Sequence, residues 1–416
     1  MIDAGSSGSR VHVYRFNYCQ KEPQLENEVF RMLKPGLSSY KDDPLAAAHS
    51  LDELMKIAVD SVPPEFHHCT PLAVKATAGL RLLGKDISDK ILAQVRSHFE
   101  NTYPFPIAGD NGVEIMDGSD EGVYAWITVN YLLGKLKATQ RGKSAAVFDL
   151  GGASTQIVFE PTFKLSTEKM ADGEHKYDLD YGEDDPYSLY QHSYLGYGLN
   201  EARKKIKESV VDLWMEKGAT AEATTQLGKV YHPCLPENHT ENLTYIPTAS
   251  NQSQPMNLQL IGTGAGTTQC RGIVEKLFNK NTQCNTAPCS FNGIYQPSLT
   301  DNFDQRDLFV FSYFFDLTQP LGMPVEFSVA ELGTLTHNVC SGNTNYFQHI
   351  PKAVDIVKAD PDYCLHLTYA YTLLKTGYEL PQDRIVKTAQ KIHGVETGWC
   401  LGASIAMIDS YQICKS

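Results

Sequence analysis

Two α/β lobes closing on a shared cleft are the fold this sequence predicts, and three observations predict them. The chain has 416 residues, more than one hydrophobic core usually organises, so two domains are expected. Strand-like apolar runs alternate with segments of helical periodicity, the pattern of an α/β layer architecture. One kind of glycine–hydroxyl loop also occurs twice, each time introduced by an aspartate at the end of an apolar run. The copies are Asp3-Ala4-Gly5-Ser6-Ser7-Gly8-Ser9-Arg10 and Asp149-Leu150-Gly151-Gly152-Ala153-Ser154-Thr155-Gln156.

Each loop is followed by a second strand-like run, Val11–Tyr14 and Ile157–Phe159. A strand–loop–strand hairpin with small residues at its bend lets backbone N–H groups and hydroxyls close around a phosphate. The aspartate at each strand end can hold a divalent metal, directly or through water. Two such half-sites face to face would clamp the phosphates of one nucleotide, which points to phosphoryl transfer.

Hydrophobic residues at 42% and charged residues at 20% describe a globular chain. A formal net charge of −13 disfavours nucleic acid and anionic membrane as partners. The same charge requires that an anionic nucleotide be met by concentrated N–H groups, arginine or a metal. No apolar run approaches the length of about 18 residues that spans a bilayer. Only Met1 and Ile2 precede Asp3, short of a strand of about 5 residues, so an upstream targeting or anchor segment is expected.

Taken in order, Leu51, Leu54, Met55 and Ala58 share one helical face, as do Ile91, Leu92, Val95 and Phe99 behind a Ser88 cap. Glu121–Leu133 reads as a helix with Ser119 near its start and Gly134 beyond its end. Residues 164–187 form a polar excursion, and Leu199, Ala202, Ile206, Val210 and Leu213 mark another helix. Residues 215–300 carry clustered cysteines, turn residues and the sequons at Asn238, Asn242 and Asn251. That segment reads as a loop-rich, disulfide-stapled, glycosylated insertion of the secretory compartment. Gly262–Gly266 lacks phosphate-loop spacing. Ser328 with Glu331 forms a capping box, and 361–375 is a helix closed by Gly377.

Between the loops stand two further motifs, Ala76-Thr77-Ala78-Gly79-Leu80-Arg81 and Gly118-Ser119-Asp120-Glu121-Gly122. Alone, the first is an ordinary strand-to-helix turn and Glu121 a helix N-terminal acid stabilised by the macrodipole. In sequence with the two loops, and with Gly398-Trp399-Cys400-Leu401-Gly402-Ala403 near the C-terminus, they resemble the apyrase and nucleoside-diphosphatase family of the actin, sugar-kinase and heat-shock-ATPase superfamily. The resemblance covers nearly the whole chain. Tyr194–Leu199 and Cys289–Gly293 look most like its fungal Golgi members, which act on GDP.

That resemblance implies two actin-like (ribonuclease H-like) lobes with an interdomain nucleotide cleft. The first lobe comprises residues 1–120 with 388–416, and the second comprises 121–387. It implies Glu121 as the general base, with Ser154 and Gln156 orienting the attacking water. Ser6, Ser7, Gly8, Ser9 and Arg10, with Thr77, would bind the terminal phosphate, and Gly151, Gly152, Ala153 and Ser154 the phosphate beneath it. Asp3 and Asp149, with Thr77 nearby, would hold a divalent cation (Ca²⁺, Mn²⁺ or Mg²⁺), mostly through water. The base pocket would include Tyr313 and Asp316. Asp316 accepting from guanine N1–H or uracil N3–H would exclude adenine; its plain alternative is a strand end.

The resemblance further implies the disulfides Cys19–Cys69, Cys234–Cys270, Cys284–Cys289 and Cys340–Cys364, with Cys400 a buried thiol. The implied reaction is metal-dependent hydrolysis of GDP, and of UDP, in the Golgi lumen by a type II membrane protein. It would clear GDP released by mannosyl transfer and supply GMP for nucleotide-sugar exchange. Three rival readings stand beside it. They are a broad-specificity apyrase, an exopolyphosphatase-like enzyme with similar paired loops, and an actin-like switch that binds nucleotide without turnover.

Overall fold

The computed structural model describes every residue except 18, 20–22, 141, 165–167, 182–185, 217–227, 248–254, 304 and 409–416. The first sheet contains β1 (Ile2–Ala4), β2 (Ser9–Asn17), β3 (Gln24–Leu33), β4 (Val74–Ala76) and β5 (Val113–Ile115), in the order β3-β2-β1-β4-β5. β1 and β3 run antiparallel to β2, while β1, β4 and β5 are parallel. Four helices accompany this sheet: α1 (Pro44–His49), α2 (Asp52–Ser61), α3 (Ala78–Arg81) and α4 (Lys85–Thr102). Leu54, Met55 and Ala58 of α2 and Ile91, Val95 and Phe99 of α4 bury the apolar faces expected of them.

Helix α5 (Gly118–Leu132) leads into the second sheet, built from β6 (Ala146–Leu150), β7 (Ser154–Phe159), β8 (Lys176–Leu179) and β9 (Tyr187–Leu195). After α6 (Leu199–Glu216), a small sheet of β10 (Gly228–His232), β11 (Thr240–Tyr245) and β12 (Met256–Gly262) forms its own core. Then come α7 (Thr267–Val274), α8 (Leu299–Asn302), β13 (Leu308–Ser312), α9 (Tyr313–Thr318), β14 (Glu326–Ser328) and α10 (Val329–Cys340). The chain closes through α11 (Ala353–Ala359), α12 (Tyr363–Thr372), β15 (Ile385–Thr388), β16 (Lys391–Ile392), β17 (Val395–Glu396) and α13 (Cys400–Ile408).

The second sheet has the order β14-β15-β13-β6-β7-β9-β8. Its inner strands repeat the first sheet: β6, β13 and β15 are parallel, and β7 is antiparallel to both β6 and β9. β15-β13-β6-β7-β9 therefore matches β5-β4-β1-β2-β3, and the two aspartate loops are equivalent β1–β2 and β6–β7 hairpins. α5 packs on β6, β7 and β9 and against α13, joined by Met1, Tyr14 and Phe16 in one apolar cluster.

Four local expectations change. Helix α4 begins at Lys85, so Ser88 is no cap; it is buried, and its hydroxyl donates to Leu80 O at 2.7 Å. α12 begins at Tyr363, and 373–377 makes a wider turn ending at Gly377. The insertion is organised by its own sheet rather than by loops and disulfides alone. The Cys19–Cys69 bridge does not form, because Cys19 is an exposed free thiol. Its β2–β3 hairpin tip is held on α5, where Leu25 N–H donates to Tyr131 Oη and that hydroxyl donates to Pro23 O. Cys69 ends the turn leading toward β4 and is disulfide-bonded, but not to Cys19. Cys234–Cys270, Cys284–Cys289 and Cys340–Cys364 are present, and Cys400 is a buried free thiol.

Candidate active site

The two hairpin loops meet. An added Cβ on Gly152 would lie 2.5 Å from Ser6 Oγ, so a side chain there would push the Ser6 hydroxyl from its place. Between them lies a cavity of about 300 Å³, the lower end of the range for small-molecule sites. Asp3, Ser6, Ser7, Arg10, Thr77, Glu121, Asp149, Gly151, Gly152, Ala153, Ser154, Tyr313 and Asp316 all line it. Gly8, Ser9 and Gln156 do not. Gly8 packs against Leu33 O and Met32, Ser9 is buried as the first residue of β2, and Gln156 stands behind Ser154.

Each loop aspartate has a buried oxygen without a partner among the described residues. Asp3 Oδ2 accepts from Arg10 at 2.9 Å, and its buried Oδ1 has no partner among the described residues. Asp149 Oδ1 is likewise buried and without a partner among the described residues. Burial pushes the Asp149 carboxyl up to about 6 and raises Asp3, against the opposing pull of Arg10 on each. Charge balance sharpens the point: Asp3, Glu121, Asp149, Asp316 and Glu396 line the cleft against Arg10 and Lys34. Two orphaned carboxylate oxygens in an acidic cleft fit a hard divalent cation, which would offset the charge of an entering phosphate.

Glu121 projects from the first turn of α5, which starts because Asp117 caps it by accepting from Ser119 N–H at 2.9 Å. Glu121 Oε2 is paired with the Arg81 guanidinium at the end of α3. A Cβ on Gly118 would collide with Arg81 and with Ser193 of β9, so the glycine makes room for that pairing. Burial dominates the carboxyl and pushes it up to about 8; Arg81 lowers it, while Asp149 and Asp3 add repulsion. Gln156 Nε2 donates to Ser154 Oγ at 2.7 Å and to Ser193 Oγ at 3.0 Å. Ser154 thus keeps its hydroxyl proton to donate, and the buried Gln156 Oε1 has no partner among the described residues.

Asp316 lies solvent-exposed on α9 at the cleft rim, its carboxyl raised by partial desolvation there against the fields of Arg10 and Lys34. Tyr313, half-buried, opens the same helix. Sequence reading missed Ser193, Ser312 and Glu396. Glu396 is anchored by Gly398 N–H at 2.7 Å, and its own N–H donates to Glu28 Oε2 at 2.8 Å. Glu28 Oε1 in turn meets His12 Nδ1 at 2.8 Å. A carboxylate two residues before the Gly398-Trp399 motif was the available signal for Glu396; Ser193 and Ser312 carried none.

The fold is an actin-like α/β one in which the strand order of the first sheet recurs in the second, with a polar cavity between the two equivalent loops. The chain belongs to the GDA1/CD39 (nucleoside phosphatase) family, whose model matches residues 1–415. It is 49% identical to a probable guanosine-diphosphatase of Aspergillus fumigatus, over 98% of this chain and 84% of that protein. It is 48% identical to the guanosine-diphosphatase of Saccharomyces cerevisiae, over 100% and 81% of the two chains. Human ectonucleoside triphosphate diphosphohydrolase 6 is 34% identical over 100% and 78%. Among solved structures, a nucleoside triphosphate hydrolase of Neospora caninum superposes with a TM-score of 0.66 at 16% identity, covering 97% of this chain and 91% of that one. At that identity the likeness speaks for the fold.

Proposed function

We propose that this chain hydrolyses GDP to GMP and phosphate, and UDP correspondingly, as a nucleoside diphosphatase of the Golgi lumen. The observation that carries the reading is Glu121: a buried carboxylate, tied to Arg81 through one oxygen, facing the cleft that holds both loops. Membership of a nucleoside phosphatase family and near-half identity to proteins named guanosine-diphosphatase supply the substrate class. Glu121 takes the proton of a water that Ser154 and Gln156 orient; the water oxygen bonds to the terminal phosphorus as the bridging P–O bond breaks, and GMP leaves. Arg10 and the Ser6–Ser7 bend neutralise the transferred group, and the Gly151–Ala153 bend holds the phosphate left behind. A divalent cation held by Asp3 and Asp149, with Thr77 reached through water, would offset the diphosphate charge.

The lobes that would open and close are taken as 1–120 with 388–416 and 121–387. The bonds from β17 to Glu28 tie the C-terminal segment to β3, while α13 rests on α5. The bridges Cys234–Cys270, Cys284–Cys289 and Cys340–Cys364 and the exposed Asn238 and Asn242 support a glycosylated, luminal protein; Asn251 lies outside the described residues. Among the described residues no helix is long and apolar enough to cross a membrane.

Phosphate release from GDP, UDP, ADP, GTP and ATP with Ca²⁺, Mg²⁺ and Mn²⁺ tests the reading. Rapid GDP and UDP turnover, slow ADP turnover and a loss of about 10²–10⁴-fold in Glu121→Gln are expected. Equal rates on ATP and ADP would make the protein a broad apyrase. Full activity in the variant would reduce Glu121 to a helix-terminal acid.

A further inference from the structure

Away from the cleft, two imidazoles and a carboxylate converge among the helices of the first sheet. His49 is the last residue of α1, Asp52 the first of α2, and His98 lies toward the end of α4. Only Ser50 and Leu51 separate the first two, so one short corner sets His49 beside Asp52, and the packing of α1 on α4 brings in His98. His49 Nδ1 lies 2.9 Å from Asp52 Oδ2, and His98 Nε2 lies 2.6 Å from Asp52 Oδ1. One ligand atom from each residue falls within 4.8 Å of the others, and the two rings stand edge to face with centroids 4.4 Å apart. Ligand atoms around a tetrahedral zinc ion are about 3.3 Å apart, so small shifts would let all three reach one ion.

Residues around the three supply an outer layer. Tyr103, directly after α4, donates to Asp52 Oδ1 at 2.6 Å, and Thr102 Oγ1 lies 3.4 Å from His98 Nδ1, the ring nitrogen turned away from Asp52. Metal-binding imidazoles and carboxylates are held by outer hydrogen bonds of this kind. The His49 and Asp52 side chains are 52% and 41% exposed, which leaves one face open to water. Two imidazole nitrogens with one carboxylate oxygen suit zinc and its neighbours better than Ca²⁺ or Mg²⁺, for which the carboxylates of Asp3 and Asp149 are the better match. We propose that His49, Asp52 and His98 bind a divalent ion of the zinc class, with water as the fourth ligand, at a site separate from the cleft. Without the ion, protons bridge each ring to Asp52; binding releases them and puts the metal in their place. None of the three residues lines the cleft, so the ion staples α1, α2 and α4 and takes no part in turnover.

Thermal melts of the whole chain, without a polyhistidine tag and with Mg²⁺ in excess to fill the cleft, test this with ZnCl₂ as the probe. The Tm should rise by about 5 °C at about a hundredfold excess of Zn²⁺ over its dissociation constant. His98→Asn and His49→Gln should each lose the rise, and Tyr103→Phe should weaken Zn²⁺ about tenfold by loosening the Asp52 carboxylate. GDP turnover in His49→Gln should stay within about twofold of wild type. The half-exposed His49 carries the test if His98→Asn fails to fold. Co²⁺ in place of Zn²⁺ should give the visible absorption of a four-coordinate ion in wild type and not in His49→Gln. A wild-type Tm that ignores zinc would overturn the proposal and leave the three residues a proton-bridged helix clamp. A rise kept in both histidine variants but lost in Asp3→Asn would also overturn it, by placing the zinc in the cleft.

Discussion

Gly152 and Ser6 touch across the cleft: a single carbon added to the glycine would come within 2.5 Å of the serine hydroxyl oxygen. A methyl group on Gly152 would therefore displace the Ser6 hydroxyl that lines the cavity. Phosphoryl transfer depends chiefly on such positioning, and a displacement of about 1 Å can cost about 10²-fold. Gly152→Ala should lose activity by about that factor with its far-ultraviolet spectrum unchanged. Ser6→Ala in the same chain should recover part of the loss, because the nearest atom the new methyl meets is gone. A double-mutant cycle on kcat/KM checks this, and strictly additive losses would mean that the loops act independently.

Glu121 should make activity and stability move in opposite directions with pH. Its carboxyl stands at about 8 in the folded chain against an ordinary value of 4.5, chiefly through burial. As a base it works ionised, so kcat/KM should rise with pH across neutrality. A raised folded value favours folding with the proton on. That stabilisation is complete below about 4.5 and is lost as pH rises through about 8. Glu121→Gln should therefore raise Tm by about 3 °C more at pH 8 than at pH 4.5 while abolishing turnover. Thermal melts of both proteins across that range decide it.

Cation binding should release protons near neutral pH. Asp149, at about 6, and Glu121, at about 8, are both raised in the cation-free cleft, Glu121 in part by the charges of Asp149 and Asp3. Neutralising the aspartates lowers both. Titration with Mn²⁺ at pH 7 in buffers of different ionisation enthalpy should report net proton release, and Asp149→Asn should reduce it.

Asp316 is exposed on α9 at the rim. If it accepts the guanine N1–H or uracil N3–H, Asp316→Ala should narrow the preference for GDP over ADP by at least about tenfold while leaving the phosphate-dependent steps intact. An unchanged ratio of kcat/KM values would remove Asp316 from base recognition.

The Cys234–Cys270 bridge closes 36 residues around the small β10–β12 sheet. Replacing both cysteines with alanine should cost about 3–4 kcal/mol of stability in that unit. GDP turnover at 25 °C should persist, since neither residue lines the cleft. Proteolysis would read the first effect and phosphate release the second.

What the sequence by itself determined is whatever depends on a few adjacent residues. The two aspartate loops, the apolar faces of α2 and α4, the Ser328–Glu331 capping box and the Gly134 stop after α5 are local chemistry, and each stands in the fold as read. The same reading put thirteen of its proposed site residues on the wall of one cavity. Ser88 misled it because a serine four residues into a helix looks like a cap until Leu80 O is seen to take its hydroxyl. Tertiary structure alone decided that Arg81 pairs with Glu121, that Ser193 backs Gln156, and that Cys19 stays a free thiol. The physical reason is range. These contacts join residues on different strands and helices, whose meeting is set by sheet order and by burial of shared apolar faces. No short stretch of chain records which partners that packing brings together.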